Sequence, residues 1–139
     1  MTAVFYLLDT DIASYIIKGR SPALENKLAT MPPDQVCVSA ITRAELLYGL
    51  KRLPPNHRLH IGVYHFLKII RVLAWNAVAA DYYADIRHQL TTQGQVIGEM
   101  DMMIASHALA IGAILVTNNT KHFNRIDAPL IMENWCDAG

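Results

Sequence analysis

An apolar run that stops abruptly on a carboxylate sets the frame for this chain. Residues 4–8 are bulky and uninterrupted, and Asp9-Thr10-Asp11 comes at once after them. Such a run suits a strand buried on both faces of a parallel sheet, whereas a half-solvated strand would alternate apolar with polar residues. Asp9 then closes the strand, and Asp11 or Thr10 is placed to cap the next helix. In open parallel sheets ligands bind beyond the carboxyl ends of the strands. A carboxylate there is held on a rigid element and still faces solvent.

The rest of the sequence alternates in the same way. Residues 12–18 read as a short helix stopped by Gly19, and Ser21-Pro22 starts another that carries Leu24 and Leu28 inward and ends at Pro32-Pro33. Residues 36–38 form a second buried strand closed by Ser39. A helix over 40–53 places Leu46, Leu47, Leu50 and Leu53 at helical spacing, and 56–70 continues as the second arm of a helical hairpin. Residues 72–74 are a brief third strand. The helix over 78–90 turns Ala79, Tyr82, Tyr83, Ile86 and Leu90 inward, and a further helix over 100–111 ends at Gly112. Two more strands lie at 114–116 and 130–132, with the polar turn Thr117-Asn118-Asn119-Thr120 between them. The expected fold is therefore α/β: a single domain over 1–139 with a largely parallel sheet of four or five strands flanked by helices.

Composition narrows the function. Apolar residues make up 53% and charged residues 17%, which supports a packed core and argues against disorder. Polar residues interrupt every apolar run before membrane-span length, and no basic stretch precedes the first one, so neither a membrane span nor a signal peptide is expected. Cys37 and Cys136 are too far apart in sequence to suggest a zinc site or a disulfide framework. The expected setting is the cytoplasm. Twelve basic and twelve acidic residues cancel, so net charge gives no pointer to nucleic acid, although a local basic rim can serve RNA.

Among so few acids, three stand at element ends. Asp9 closes the first strand, Glu45 lies early in the helix after the second, and Asp101 opens the helix before the fourth. Strand C-termini and the adjoining helix N-termini share one edge of a parallel sheet, where Asp9 and Glu45 meet. Asp101 joins them if its helix runs antiparallel to the strands, and Asn119 adds a neutral oxygen. A carboxylate set without Cys or suitably spaced His selects a hard cation such as Mg²⁺, which polarises a phosphodiester and activates water. Each acid also has a plainer role. Thr42-Arg43-Ala44-Glu45 fits a capping box, Asp101 and Glu99 suit a helix dipole or a solvated turn, and Asp9 and Asp11 suit caps. His57, His60 and His65 lack the spacing of a helical metal pair and read as surface or interface residues. His107 reads as packing, and Met100, Met102 and Met103 as core filler.

The blocks Leu7-Leu8-Asp9-Thr10-Asp11-Ile12, Val38-Ser39-Ala40-Ile41-Thr42-Arg43-Ala44-Glu45-Leu46-Leu47-Tyr48-Gly49, Met100-Asp101-Met102-Met103-Ile104-Ala105-Ser106-His107-Ala108 and Val116-Thr117-Asn118-Asn119-Thr120-Lys121-His122-Phe123 together resemble the PIN-domain nucleases. More narrowly they resemble the VapC toxins of type II toxin–antitoxin systems, in order and over nearly the whole chain. The resemblance implies a PIN-like domain with endoribonuclease activity dependent on Mg²⁺ or Mn²⁺. Asp9, Glu45 and Asp101 match the family's acidic positions and metal ligands. Thr10 and Thr117 match its hydroxyl positions, and Asn119 falls where many members carry a fourth catalytic acid. It further implies a homodimer, a VapB-type antitoxin and a structured RNA substrate, with the anticodon loop of initiator tRNA as the leading expectation. Lys121, His122, Arg125, Arg43 and Arg52 are candidates to grip phosphates.

Two other classes compete. Asp9-Thr10-Asp11 after a buried strand also suits a haloacid-dehalogenase-type phosphatase, with Asp9 as nucleophile, Asp11 as acid/base and Lys121 as its lysine. The same fold can also serve only for dimerisation and antitoxin binding. A receiver domain is disfavoured, because the third strand runs into Trp75-Asn76 rather than a phospho-accepting Asp.

Overall fold

The computed structural model describes residues 4–136. Five strands form one sheet: β1 (Tyr6–Leu8), β2 (Val36–Ser39), β3 (Arg71–Leu73), β4 (Ile114–Val116) and β5 (Met132–Glu133). Their order is β3-β2-β1-β4-β5, and every neighbouring pair is parallel. The Asp9-bearing strand is thus the centre of the sheet. Leu7 pairs in register with Cys37 and Leu115, and Leu8 with Val38 and Val116.

That register sorts side chains onto two faces, because successive residues of a strand point opposite ways. Leu7, Cys37 and Leu115 join a core with Ile86 and Leu90 of α5 (Ala77–Thr92) and Ile104, Ala105 and Ala108 of α6 (Glu99–Ile111). Leu8, Val38 and Val116 face a second core. It is built with Ile12 and Ala13 of α1 (Thr10–Lys18), Leu24 of α2 (Pro22–Ala29), Leu50 of α3 (Ala40–Lys51) and Val63, Phe66 and Leu67 of α4 (Leu59–Ile69). Each of these side chains is buried, a contribution of roughly 1.5–3 kcal/mol for each large one relative to exposure.

The punctuation behaves as expected at several ends. Gly19 and Gly112 close α1 and α6 at φ 64° and 65°, the left-handed geometry that a side chain resists. Ser21 caps α2 through a hydrogen bond from the Leu24 amide, with Pro22 at its first position.

Several expectations are corrected. The first strand begins only at Tyr6, and Val4 is 47% exposed. The cap of α1 is Asp9 itself rather than Asp11 or Thr10. Residues 56–58 belong to the turn after Pro54-Pro55, where His57 Nδ1 accepts from the Leu59 amide, so α4 starts later than its apolar pattern suggests. Strand β3 starts one residue earlier than expected and β5 two residues later. Tyr82 and Met100 are exposed rather than inward, because each helix buries a narrower stripe than its apolar residues offer. Residues Thr120–Phe123, where only the close of a polar turn is expected, form a short helix α7. Among the described residues, no helix is long and apolar enough to cross a membrane.

Candidate active site

The strand register places the site. One step beyond the last pairs that β1 makes with β2 and β4, Asp9 falls between Ser39 and Thr117 at the carboxyl edge of the sheet. The Asp9 amide donates to Val116 O at 3.0 Å, so the ladder continues to that residue. Asp9 is only 4% exposed. Its Oδ1 accepts from the Ile12 amide at 2.8 Å, capping α1, and the Thr117 hydroxyl donates to the same carboxylate. Burial dominates these two bonds and pushes the Asp9 pKa from 3.8 up to about 6, with Asp11 and Asp101 adding repulsion. Asp9 is therefore a helix cap and a member of the acidic site at once.

Glu45 reaches the edge from the second turn of α3. The capping-box reading fails here, because Ser39 caps α3 through the Ile41 amide and Thr42 lies inside the helix, fully buried. Glu45 instead accepts a short 2.6 Å hydrogen bond from the Thr10 hydroxyl, and Thr10 Oγ1 lies 3.0 Å from Thr42 Oγ1. Burial raises the Glu45 pKa, the Thr10 bond opposes that rise, and Asp101 and Asp11 add to it.

Asp101 sits in the first turn of α6, which lies at this same edge: Trp75, just past β3, donates from Nε1 to Met103 O at 2.9 Å. The Asp101 pKa is raised by burial and by Asp11, and lowered by the His122 imidazole, whose Nε2 lies 3.1 Å from Oδ2. The charge of Asp101 adds to the rise at both Asp9 and Glu45, so the three acids lie within electrostatic reach of one another. The neighbouring groups are carboxyl and hydroxyl oxygens plus the His122 imidazole, and the carboxylates themselves are the hard donors that Mg²⁺ or Mn²⁺ prefers. Among the described residues, however, no three His, Cys, Asp or Glu side chains stand grouped to hold an ion as they lie. Each carboxylate is instead turned to a protein donor: Asp9 to Ile12 and Thr117, Glu45 to Thr10, Asp101 to His122.

Other expected residues take distinct places. Asn119 is exposed and joined to the site through its backbone, its amide donating to Thr117 Oγ1 at 3.0 Å. Glu99 is the first residue of α6 and bonds the Tyr83 hydroxyl at 3.1 Å and Arg87 at 3.3 Å. Asp11 is exposed on α1, as are Arg43 on α3, Arg52 at its C-terminal cap, and Lys121 and Arg125 in and beyond α7. His107 packs as expected, 1% exposed, with Nδ1 2.8 Å from Ser39 Oγ. A cleft of about 430 Å³ opens beside Thr10, Asp11 and Glu45 between α1 and α3, with Lys18 and Arg52 in its walls. Two participants escaped the sequence reading: Thr42, taken for a cap, and His122 in the specific role of Asp101's partner. The spacing of Thr42 three residues before Glu45, on the same helix face, was the available signal for the first.

Comparison with known proteins adds an independent line. The family model described as PIN domain matches residues 6–129. Ribonuclease VapC2 of Rickettsia felis is 36% identical over 133 residues, 95% of this chain and 98% of its own. The tRNA(fMet)-specific endonuclease VapC of Shigella flexneri is 36% identical over 130 residues, 94% of this chain and 97% of its own. Among solved structures, VapBC from Salmonella typhimurium bound to DNA superposes with a TM-score of 0.88 at 31% identity, covering 96% of this chain and 100% of the compared one. VapBC2 from Rickettsia felis bound to a promoter fragment gives 0.86 at 35% identity, covering 95% and 99%.

Proposed function

Since the chain belongs to the PIN-domain family, in its VapC group, we propose that it is the toxin of a VapBC pair and a metal-dependent endoribonuclease. Asp9, Glu45 and Asp101 are its metal-binding and catalytic carboxylates, with Asn119 at their rim. The observation that carries this reading is the gathering of three acids, from three separate elements, at the carboxyl edge of the central strand. Burial and neighbouring acids raise the pKa of all three, a cost that a divalent cation would offset. When bound, such an ion would polarise the scissile phosphodiester and ease deprotonation of a water.

The chain's own residues supply orientation. Thr117 and the Ile12 amide hold Asp9, Thr10 holds Glu45, and His122 holds Asp101. We assign phosphate contacts to Lys121 and Arg125, which are exposed in and just beyond α7. Hydrolysis with departure of the 3′ oxygen leaves a 5′-phosphate and a 3′-hydroxyl. The name of the Shigella relative supports a tRNA substrate, with the initiator anticodon loop as the first candidate. The VapBC complexes support a VapB-type antitoxin as partner. We assign the toxin to the cytoplasm, where tRNA is found, as a homodimer.

The test is cleavage of a mixed tRNA pool by wild type and Asp9→Ala, with Mg²⁺ or Mn²⁺ and with chelator. Discrete cuts that need both the ion and Asp9 support the reading. Cuts that survive chelator or the substitution refute it. A folded, antitoxin-free wild type that cuts nothing favours a role confined to dimerisation and antitoxin binding.

A further inference from the structure

Thr42 is a fully buried hydroxyl in the first turn of α3, one turn before Glu45 and on the same face of the helix. A buried hydroxyl needs a partner for its proton, and the partner here is Thr10 Oγ1 at 3.0 Å. Thr10 has a single proton of its own, and its 2.6 Å contact with the Glu45 carboxylate uses it. The polarity of the chain is therefore settled: Thr42 donates to Thr10, and Thr10 donates to Glu45. Thr10 is thereby held by two groups on α3, one neutral and one charged. Without the Thr42 proton, Thr10 Oγ1 loses its donor and its rotor is held only by the flexible carboxylate it is meant to fix.

We infer that Thr42 is a positioning residue for Glu45, acting through Thr10; as a catalytic claim this rests on the nuclease reading above. It touches neither RNA nor the reacting atoms. Its role is to orient a hydroxyl that orients a carboxylate, across the α1–α3 junction. Donation from a neutral hydroxyl into an ionic hydrogen bond also polarises that bond and strengthens it.

The experiment compares wild type, Thr42→Val, Thr42→Ser, Thr10→Val and the Thr10→Val/Thr42→Val pair. Valine matches threonine in shape and lacks the hydroxyl; serine keeps it. Two readouts are taken: kcat and KM for tRNA cleavage with Mn²⁺, and the assigned carboxyl carbon resonance of Glu45 by NMR without added metal. The expected result is about a fivefold fall in kcat for Thr42→Val with KM unchanged, as for loss of one neutral hydrogen bond. Thr42→Ser restores most of it, and Thr42→Val has no further effect when Thr10 is already valine. The Glu45 resonance shifts in Thr42→Val and returns in Thr42→Ser. An unchanged Glu45 resonance overturns the inference, as does a kcat loss that persists undiminished in the Thr10→Val background, which would mean packing alone. A shifted resonance with unchanged kcat overturns the catalytic part. If wild type cuts no tRNA, the nuclease reading fails, while the resonance still decides whether Thr42 positions Glu45. Should Thr42→Val not fold, Thr42→Cys, close in volume and a weak donor, carries the same comparison.

Discussion

Asp9→Asn is expected to make the metal-free protein more stable at neutral pH while destroying its activity. The Asp9 pKa rises from 3.8 to about 6 on folding, with burial as the leading cause. A carboxyl with a raised native pKa binds its proton more tightly in the folded state, so stability falls as pH rises. Below about pH 4 the carboxyl is protonated in both states and contributes nothing. Between about 4 and 6 the penalty grows, and above about 6 it is complete, on the order of 3 kcal/mol. Asparagine keeps an oxygen for the Ile12 amide, so the cap on α1 survives. It carries no charge to desolvate and none to repel Asp101. Urea unfolding in chelator, at one protein concentration, reads the difference. With a slope of about 2 kcal/mol per molar, the midpoint of Asp9→Asn should exceed wild type by about 1.5 M at pH 7.5, and the two should converge near pH 4. Adding Mn²⁺ should raise wild type and leave the variant little changed. A variant no more stable than wild type at pH 7.5, or a gap that does not close on acidification, would refute the reasoning.

Thr10→Val removes the 2.6 Å donor to Glu45; because that donor holds the Glu45 pKa down, cleavage should fall roughly 10- to 100-fold, as for a hydrogen bond to a charged group, with Thr10→Ser near wild type in initial-rate assays. His122→Ala removes the group that draws the Asp101 pKa down, so the acidic limb of the pH–rate profile should move to higher pH, and a limb that stays in place would exclude His122 from this role. Gly112→Ala places a side chain at φ 65° with nothing within 4 Å of the new carbon; backbone strain alone should cost about 1 kcal/mol in urea unfolding, with cleavage unaltered.

Much of the fold obeys local rules. Continuous apolar triplets at 6–8, 36–38 and 114–116 announce strands buried on both faces, and Gly19, Ser21-Pro22 and Gly112 mark helix ends through backbone requirements that neighbours cannot override. Such signals also misled where local preference met long-range packing. Tyr82 and Met100 have the right period and remain exposed. The sequence Thr42-to-Glu45 has the form of a capping box, but the strand ends at Ser39, and Ser39 takes the cap.

The order of residues was enough to specify which groups can do chemistry here: carboxylates at element ends, hydroxyls beside them, and an alternating α/β pattern that must put strand ends on one edge. Which of them meet was left to long-range packing. The order β3-β2-β1-β4-β5 sets Asp9 beside both Ser39 and Thr117, brings Thr10 of α1 against Thr42 and Glu45 of α3, and delivers His122 of α7 to Asp101 of α6. Periodicity and capping act within a few residues, through backbone geometry. The pKa of Asp9 is set instead by desolvation from strands and helices distant in sequence, and no local pattern encodes that burial.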